Sequence, residues 1–342
     1  MFDEKEYKAV FSKVTASGET HRRILNMTNQ NQKYHSTRMF TRVLVAAVMS
    51  SLLAVTVAAS EFGWFVGYFS KETQSALNEE QIDFIQERER NAQQSQTHDG
   101  YTVTLESYFA DSTSAWFKLK IQCPEGVQFC DSPWGTSLKG VGLIRNSDGE
   151  DLGGGGVSKL PDEDTTDNIG YLLFIHEEQG IFATQSLLED PYYTLQIRGL
   201  HDIYLANDDI VFDTVAEGIW EFDIDFRGME DSKVELIGKP LDYLMISDDN
   251  LEIPVEVPIR ITSFSLYPMR AAMQFEYLEE ETYGYPDDFA PCTVVMKDGT
   301  KQVLNTFAVM CGSTEFRSPV PLILSEVDHI LLADGTKLPM PE

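Results

Sequence analysis

Basic side chains are scarce. Lys and Arg together number 26 against 55 Asp and Glu in 342 residues, a formal charge of −29, which excludes a general affinity for nucleic acid or anionic lipid because both demand basic surface. Cysteine is scarcer still. The four residues Cys123, Cys130, Cys292 and Cys311 all fall in the last two thirds of the chain, so a zinc-binding head built on a His/Cys cluster is excluded from residues 1–42. The six histidines, His21, His35, His98, His176, His201 and His329, match no metal-ligand spacing and none adjoins a cysteine, so they read as surface or hairpin residues. No G-x-S-x-G elbow is present. Gly153–Gly156 lacks a following Lys-Ser or Lys-Thr and reads as a mobile loop rather than a phosphate cradle. Acidic loops at Asp162-Glu163-Asp164 with Asp167, and at Asp248-Asp249, miss the EF-hand spacing and read as solvated charge. Scattered carboxylates such as Asp223 and Asp225 form no recognisable catalytic constellation in sequence, so neither enzymatic activity nor a cofactor is expected. The length suits two ordinary domains and needs no disulfide or metal to hold a core.

The charge is divided unevenly. Residues 1–42 hold eight basic side chains (Lys5, Lys8, Lys13, Arg22, Arg23, Lys33, Arg38 and Arg42) against four acidic ones (Asp3, Glu4, Glu6 and Glu19), whereas the remainder holds 18 basic and 51 acidic groups. Between a basic head and an acidic body lies Val43–Ala59, uncharged and interrupted only by Ser50, Ser51 and Thr56, which can bond back to helical carbonyls. As a helix it rises about 25 Å, slightly less than a hydrocarbon core of about 30 Å. The aromatic residues Phe62, Trp64, Phe65, Tyr68 and Phe69 sit where an interfacial belt would close the gap, and Arg38 and Arg42 guard the other end. The expectation is a transmembrane helix over 43–64, with lipid bilayer around it, the N-terminus cytoplasmic and the body outside. A signal peptide cut after Ala59 is the competing reading, although 42 residues is long for a leader.

In the head, Tyr7, Val10, Phe11 and Val14 fall at i, i+3, i+4, i+7, one stripe of a short helix. Ser17-Gly18 breaks the pattern, and a second helix from Glu19 carries Ile24, Leu25 and Met27. Two such helices are too small to bury their own stripes. Either they grip a partner or the segment is a disordered positive tail that sets topology, with a polar linker following to residue 42.

Residues 65–98 read as a juxtamembrane helix and linker. Asn78 and Gln81 form a capping box, Leu77 and Ile82 a hydrophobic staple. The polar stretch ERERNAQQSQTHDG that follows predicts fraying into an accessible linker, for which an envelope protease is a candidate partner.

From Gly100 onward period-two alternation dominates: Tyr101, Val103, Leu105; Phe117, Leu119, Ile121; Tyr193, Leu195, Ile197; Trp220, Phe222, Ile224, Phe226. A composition break at Arg227–Ser232 marks a boundary, beyond which Ile259–Leu266, then Ala271, Met273, Phe275 and Tyr277, restart the pattern. Asp298-Gly299 and Asp334-Gly335 are hairpin signals. The fold class expected is mainly β: short N-terminal helices, one transmembrane helix, then two tandem immunoglobulin-like antiparallel β-sandwich domains over 99–228 and 229–342. One larger β domain with a long insertion is the alternative. Cys123 and Cys130 bracket the Pro124-Glu125-Gly126 turn and Cys292 and Cys311 are left to each other, either as disulfides or as free thiols.

Glu19-Thr20 with Ile24-Leu25-Asn26-Met27-Thr28, the run RVLVAAVMSSLLAVTVAASEFGWF, Leu77–Gln81, the stretch GYTVTLESYFADSTSAWFKLKIQCPEG, and the ending Leu324–Ile330 with Asp334–Pro339 together resemble the family carrying domain of unknown function 4179. These are single-span proteins of Gram-positive bacteria described as anti-sigma-factor-like. The likeness covers residues 19–126 and 322–339 most strongly, and Cys123 departs from the small apolar residue expected before the turn. The resemblance implies a regulator that sequesters an extracytoplasmic-function sigma factor through Tyr7, Val10, Phe11, Val14, Ile24, Leu25 and Met27 while its outer domains sense envelope signals. The alternative is a membrane-tethered binding module that adheres to wall glycan or a surface protein.

Overall fold

The computed structural model describes residues 63–73, 77–130, 135–153, 155–162, 167–177, 186–206, 209–230, 232–246, 256–278, 289–310 and 312–341. The head residues Tyr7, Val10, Phe11, Val14, Ile24, Leu25 and Met27 and the apolar run 43–59 lie outside these, as do Glu163, Asp164, Asp248, Asp249 and Cys311. All described residues fall within one compact unit, Val55–Glu342. The described residues are mainly β, with two α-helices. Among the described residues no helix is long and apolar enough to cross a membrane.

The first hydrophobic core lies between two layers. One is a five-stranded antiparallel sheet in the order β1-β2-β3-β7-β6, made of β1 (Arg90–His98), β2 (Tyr101–Ala110), β3 (Ser114–Gln122), β6 (Gly155–Lys159) and β7 (Ile169–Glu177). The other combines the sheet β11-β8-β5 (Trp220–Asp225, Tyr192–Ile197, Val141–Arg145) with the sheet β10-β9-β4 (Asp209–Ala216, Leu200–Ala206, Thr136–Leu138). The alternating residues meet here as their period demands: Val103 opposes Ile121, Leu105 opposes Leu119, and Phe117 opposes Phe174. Leu195, Trp220, Phe222 and Ile224 close the core from the other layer, and every one of these side chains is buried.

A second core is enclosed by one continuous nine-stranded sheet. Its strands are β12 (Val234–Glu235), β13 (Leu241–Ile246), β14 (Glu256–Leu266), β15 (Arg270–Tyr277), β16 (Cys292–Met296), β17 (Lys301–Met310), β18 (Ser313–Arg317), β19 (Val327–Leu331) and β20 (Lys337–Pro339). Residues from β13 through β20 join a single cluster that includes Ile259, Met273, Val294, Leu304, Phe316 and Ile330, so the sheet wraps around its own interior. The β16–β17 hairpin turns at Asp298-Gly299, where Gly299 takes φ +85 and Asp298 Oδ1 accepts from Thr300 N at 2.8 Å.

Two expectations fail in the stretch before Gly100. Of the aromatic residues expected to form a membrane belt, Phe62 lies outside the described residues, and Trp64, Phe65, Tyr68 and Phe69 belong to α1 (Trp64–Thr73), in which Phe65 and Phe69 are buried in protein. Nor does the polar stretch after α2 (Glu79–Arg88) fray into a linker. Helix α2 begins at the predicted capping box, with Gln81 N donating to Asn78 Oδ1 at 2.8 Å and Asn78 N to Gln81 Oε1 at 3.1 Å. The chain then turns extended at Glu89 and pairs as β1 along β2.

Strand β1 carries only one apolar side chain, Ala92, and is held by polar ones. Its outer face is bridged to β2 by Ser95–Thr104 and Thr97–Thr102 hydroxyl pairs, each 2.8 Å. On the other side the Gln94 amide accepts from Asp223 N at 2.9 Å and donates to Asp223 O at 2.8 Å, and Gln96 treats Glu221 the same way. Each glutamine amide thus imitates a neighbouring strand and satisfies the free edge of β11. Replacing both, Gln94→Ala with Gln96→Ala, removes four such bonds and is expected to lower unfolding free energy by about 2–6 kcal/mol, since each contributes about 0.5–1.5 kcal/mol. Chemical denaturation checks it, and an unchanged midpoint would show that the ladder is ornamental.

Candidate functional site: the helical seam

Where the alternation of β2 and β3 breaks down, a second face becomes buried. A register shift after Leu105 leaves Phe109 opposite Trp116, and both point away from the first core into a separate cluster with Phe65, Val66, Phe69, Ile85, Leu173, Met269 and Val320. Phe109 stacks obliquely on Phe65 at 5.6 Å and meets Phe69 edge-on at 5.5 Å, while Phe69 meets Trp116 at 6.1 Å. Helices α1 and α2 therefore lie over the outer face of the first sheet, and Met269 and Val320 bring the second β part to the same cluster. Burying Phe65 and Phe69 contributes about 1.5–3 kcal/mol each.

Polar contacts fix the geometry. Glu89 closes the N-terminus of α1: its Oε1 accepts from Trp64 N at 2.9 Å and its Oε2 from Phe65 N at 3.3 Å. Burial pushes the Glu89 carboxyl above its usual range, opposed by these two N–H groups and by Lys118. Gly63 precedes the helix at φ +99, and a Cβ there would collide with the Glu89 carboxylate. Asp111, in the β2–β3 turn, accepts from Thr113 N at 2.9 Å and Ser114 N at 2.8 Å through Oδ1, and from Met269 N of the β14–β15 turn at 3.1 Å through Oδ2. Its burial raises its pKa, with the Thr113 and Ser114 amides and Arg270 acting the other way. A second tie joins Arg317 of β18 to Glu177 of β7, beside the fully buried Arg270–Glu315 pair at 3.2 Å. Desolvation raises Glu177, which Arg317 opposes. Gln81, already part of the capping box, donates Nε2 to Pro321 O at 2.8 Å, and Arg88 stacks on Phe84 at 3.8 Å while donating to Glu230 O at 3.1 Å.

Clefts open along this seam. One of about 790 Å³ lies between the start of α2 and the β16–β17 hairpin, lined by Gln81, Met296, Gln302, Val303 and Val320. Another of about 300 Å³ runs among Tyr68, Trp116, Met269, Asn305, Phe307 and Arg317, whose guanidinium lies 3.7 Å from the Phe307 ring centre. Among the described residues no cluster of His, Cys, Asp or Glu is placed to hold a metal. Two β parts and two helices thus share one buried aromatic cluster.

The remaining sequence candidates fall elsewhere. Cys123, Cys130 and Cys292 are free thiols. Burial pushes Cys123 to about 11 and Cys292 to about 12, which makes both poor nucleophiles. Cys123 N donates to Asn168 O just before β7, and Cys130 O accepts from Thr136 N of β4. Asp225 is pulled below the usual carboxylate range by hydrogen bonds from Arg227, at 2.6 Å from NH2 to Oδ2, a local surface pair. Glu89, Asp111 and Glu177 escaped notice because an isolated carboxylate carries no pattern; the contiguous apolar pairs Tyr108-Phe109 and Trp116-Phe117 were the legible sign of a sheet buried on both faces.

No family model and no curated protein matches the chain. Among solved structures, a conserved domain protein from Bacillus anthracis is similar at 12% identity and TM-score 0.41 over 71% of this chain and 75% of that one. S. aureus TarS is similar at 10% identity and TM-score 0.19, covering 72% of this chain and 44% of that one, and its 217–571 fragment at 9% and 0.17, covering 75% and 72%. Likenesses of this degree carry no functional conclusion.

Glu89→Ala strips the cap from α1, and loss of such a cap costs about 0.5–2 kcal/mol. The expected outcome is a stability loss of that size together with faster amide exchange over 64–73, while exchange in β14–β18 stays as it was. Uniform acceleration across the body would mean that Glu89 supports the whole fold rather than the docking of α1.

Proposed function

We propose that this chain is a membrane-anchored regulator of the anti-sigma-factor-like kind that its resemblance to the domain of unknown function 4179 family implies. On this reading residues 43–59 cross the bilayer, the head grips an extracytoplasmic-function sigma factor through Tyr7, Val10, Phe11, Val14, Ile24, Leu25 and Met27, and the β body stands outside as two immunoglobulin-like modules that respond to the envelope. The two-layer arrangement around the first core supports the modular reading.

The observation that carries the proposal is the position of α1. Only Ser60–Gly63 separate the apolar run from Trp64, and α1 is seated in the aromatic cluster shared by both β parts. On this reading a span continued into that seam would be attached to the outer body at the cluster that both β parts share. The polar stretch 87–100, read from sequence as an accessible protease target, instead completes α2 and pairs as β1. A protease acting there needs the seam to loosen first, which makes cutting a consequence of the signal rather than its receptor.

The test is affinity capture of the tagged full-length chain from membranes of its own cell. A co-purifying sigma factor, lost on Phe11→Asp or Leu25→Asp with the β body still folded, is the expected result. A mature chain that begins at Ser60, or capture of the intact chain with no sigma factor, would overturn it. The alternative, a tethered module holding a surface protein, is favoured by one feature, the exposed apolar face of the β9–β10 hairpin.

A further inference from the structure

Four of the eleven large apolar or aromatic side chains that stand exposed among the described residues lie on one hairpin: Tyr204, Leu205, Ile210 and Phe212, at 41%, 55%, 49% and 59% exposure. The register sorts them. Leu205 opposes Ile210, Ile203 opposes Phe212, and His201 opposes Thr214, so these share one face. The other face carries Tyr204 opposite Val211 and Asp202 opposite Asp213, with Asp209 at the far end. The Tyr204 hydroxyl donates to Asp213, and Asp202 accepts from Thr136 Oγ1 at 2.6 Å, so the acidic face is held in order. Strand β10 ends its sheet, with no strand beyond it among the described residues.

A free edge whose two faces differ so sharply is a template for an added strand. We infer that β10 is the docking edge for an extended polypeptide segment of a partner protein, whose side chains read basic-apolar-any-apolar-basic opposite Asp209, Ile210, Val211, Phe212 and Asp213. Opposite charges directly across a strand pair are favourable and like charges unfavourable, and this decides the occupant. A second copy centred on Val211 sets Asp209 against Asp213 at both ends, and one residue out of step it sets Ile210 against Asp213. In any register it adds a strongly acidic body to another. A basic-flanked partner strand meets neither obstacle. At the base of the hairpin the apolar face ends at Lys139, whose Nζ donates to Thr214 Oγ1 at 3.0 Å. The inference does not depend on whether residues 43–59 span a membrane or on any sigma factor.

The test uses the detergent-solubilised full-length chain and labelled peptides built on Lys-Val-Thr-Val-Lys, on the same residues scrambled as Lys-Lys-Val-Val-Thr, and on Glu-Val-Thr-Val-Glu, with binding read by fluorescence anisotropy. The ordered basic peptide is expected to bind about tenfold more tightly than the scrambled one, and Phe212→Thr to remove most of that advantage. The double variant Asp209→Lys with Asp213→Lys should prefer the acidic peptide. Each of three results would overturn the inference: equal binding of ordered and scrambled peptides, a preference that the charge swap leaves unmoved, or dimers or vesicle binding abolished by Phe212→Thr in the absence of peptide. Circular dichroism of both variants separates loss of recognition from loss of fold, because Phe212, Asp209 and Asp213 are all exposed.

Discussion

The burial of the outer face of the first sheet is the constraint on which the rest depends. A sheet with one wet face needs only a partner for the other, but Phe109, Trp116 and Leu173 present large apolar side chains on the face turned away from the first core. Leaving them in water would cost about as much as the inner pairs gain. Something must cover them, and the chain supplies α1 and α2 before the sheet and the β14–β15 and β18 ends after it. The cluster thereby brings together elements separated by some two hundred residues of sequence, and the capping of α1 by Glu89, the tie from Gln81 to Pro321 and the Asp111–Met269 bond are all consequences of packing them on one surface.

The charged groups at this surface do a different job from the aromatic ones. A buried pair such as Arg270–Glu315 gives back in attraction roughly what desolvation removes, so it adds little net stability. It lies within the second sheet, whereas the Arg317–Glu177 pair and the Met269–Asp111 hydrogen bond cross between the two β parts, and shifting the parts by one residue would strand Glu177 and Asp111. Apolar packing holds the parts together, and these two polar contacts favour the arrangement in which they meet.

The strands of both cores were legible because their signal is local: one face apolar, one polar, punctuated by Asp-Gly turns. The capping box at Asn78 was legible for the same reason. Strand β1 was not, because its alternation is written in Gln94 and Gln96, which count as polar on any scale yet face the neighbouring layer and act through their amides on backbone. Nor was the fate of α1. An aromatic-rich segment following an uncharged run satisfies the composition of a membrane belt and of a packed helix equally well, and only the tertiary fact that Phe109 and Trp116 lie uncovered distinguishes the two. The seam carboxylates were invisible because their role comes from burial, which no single residue announces.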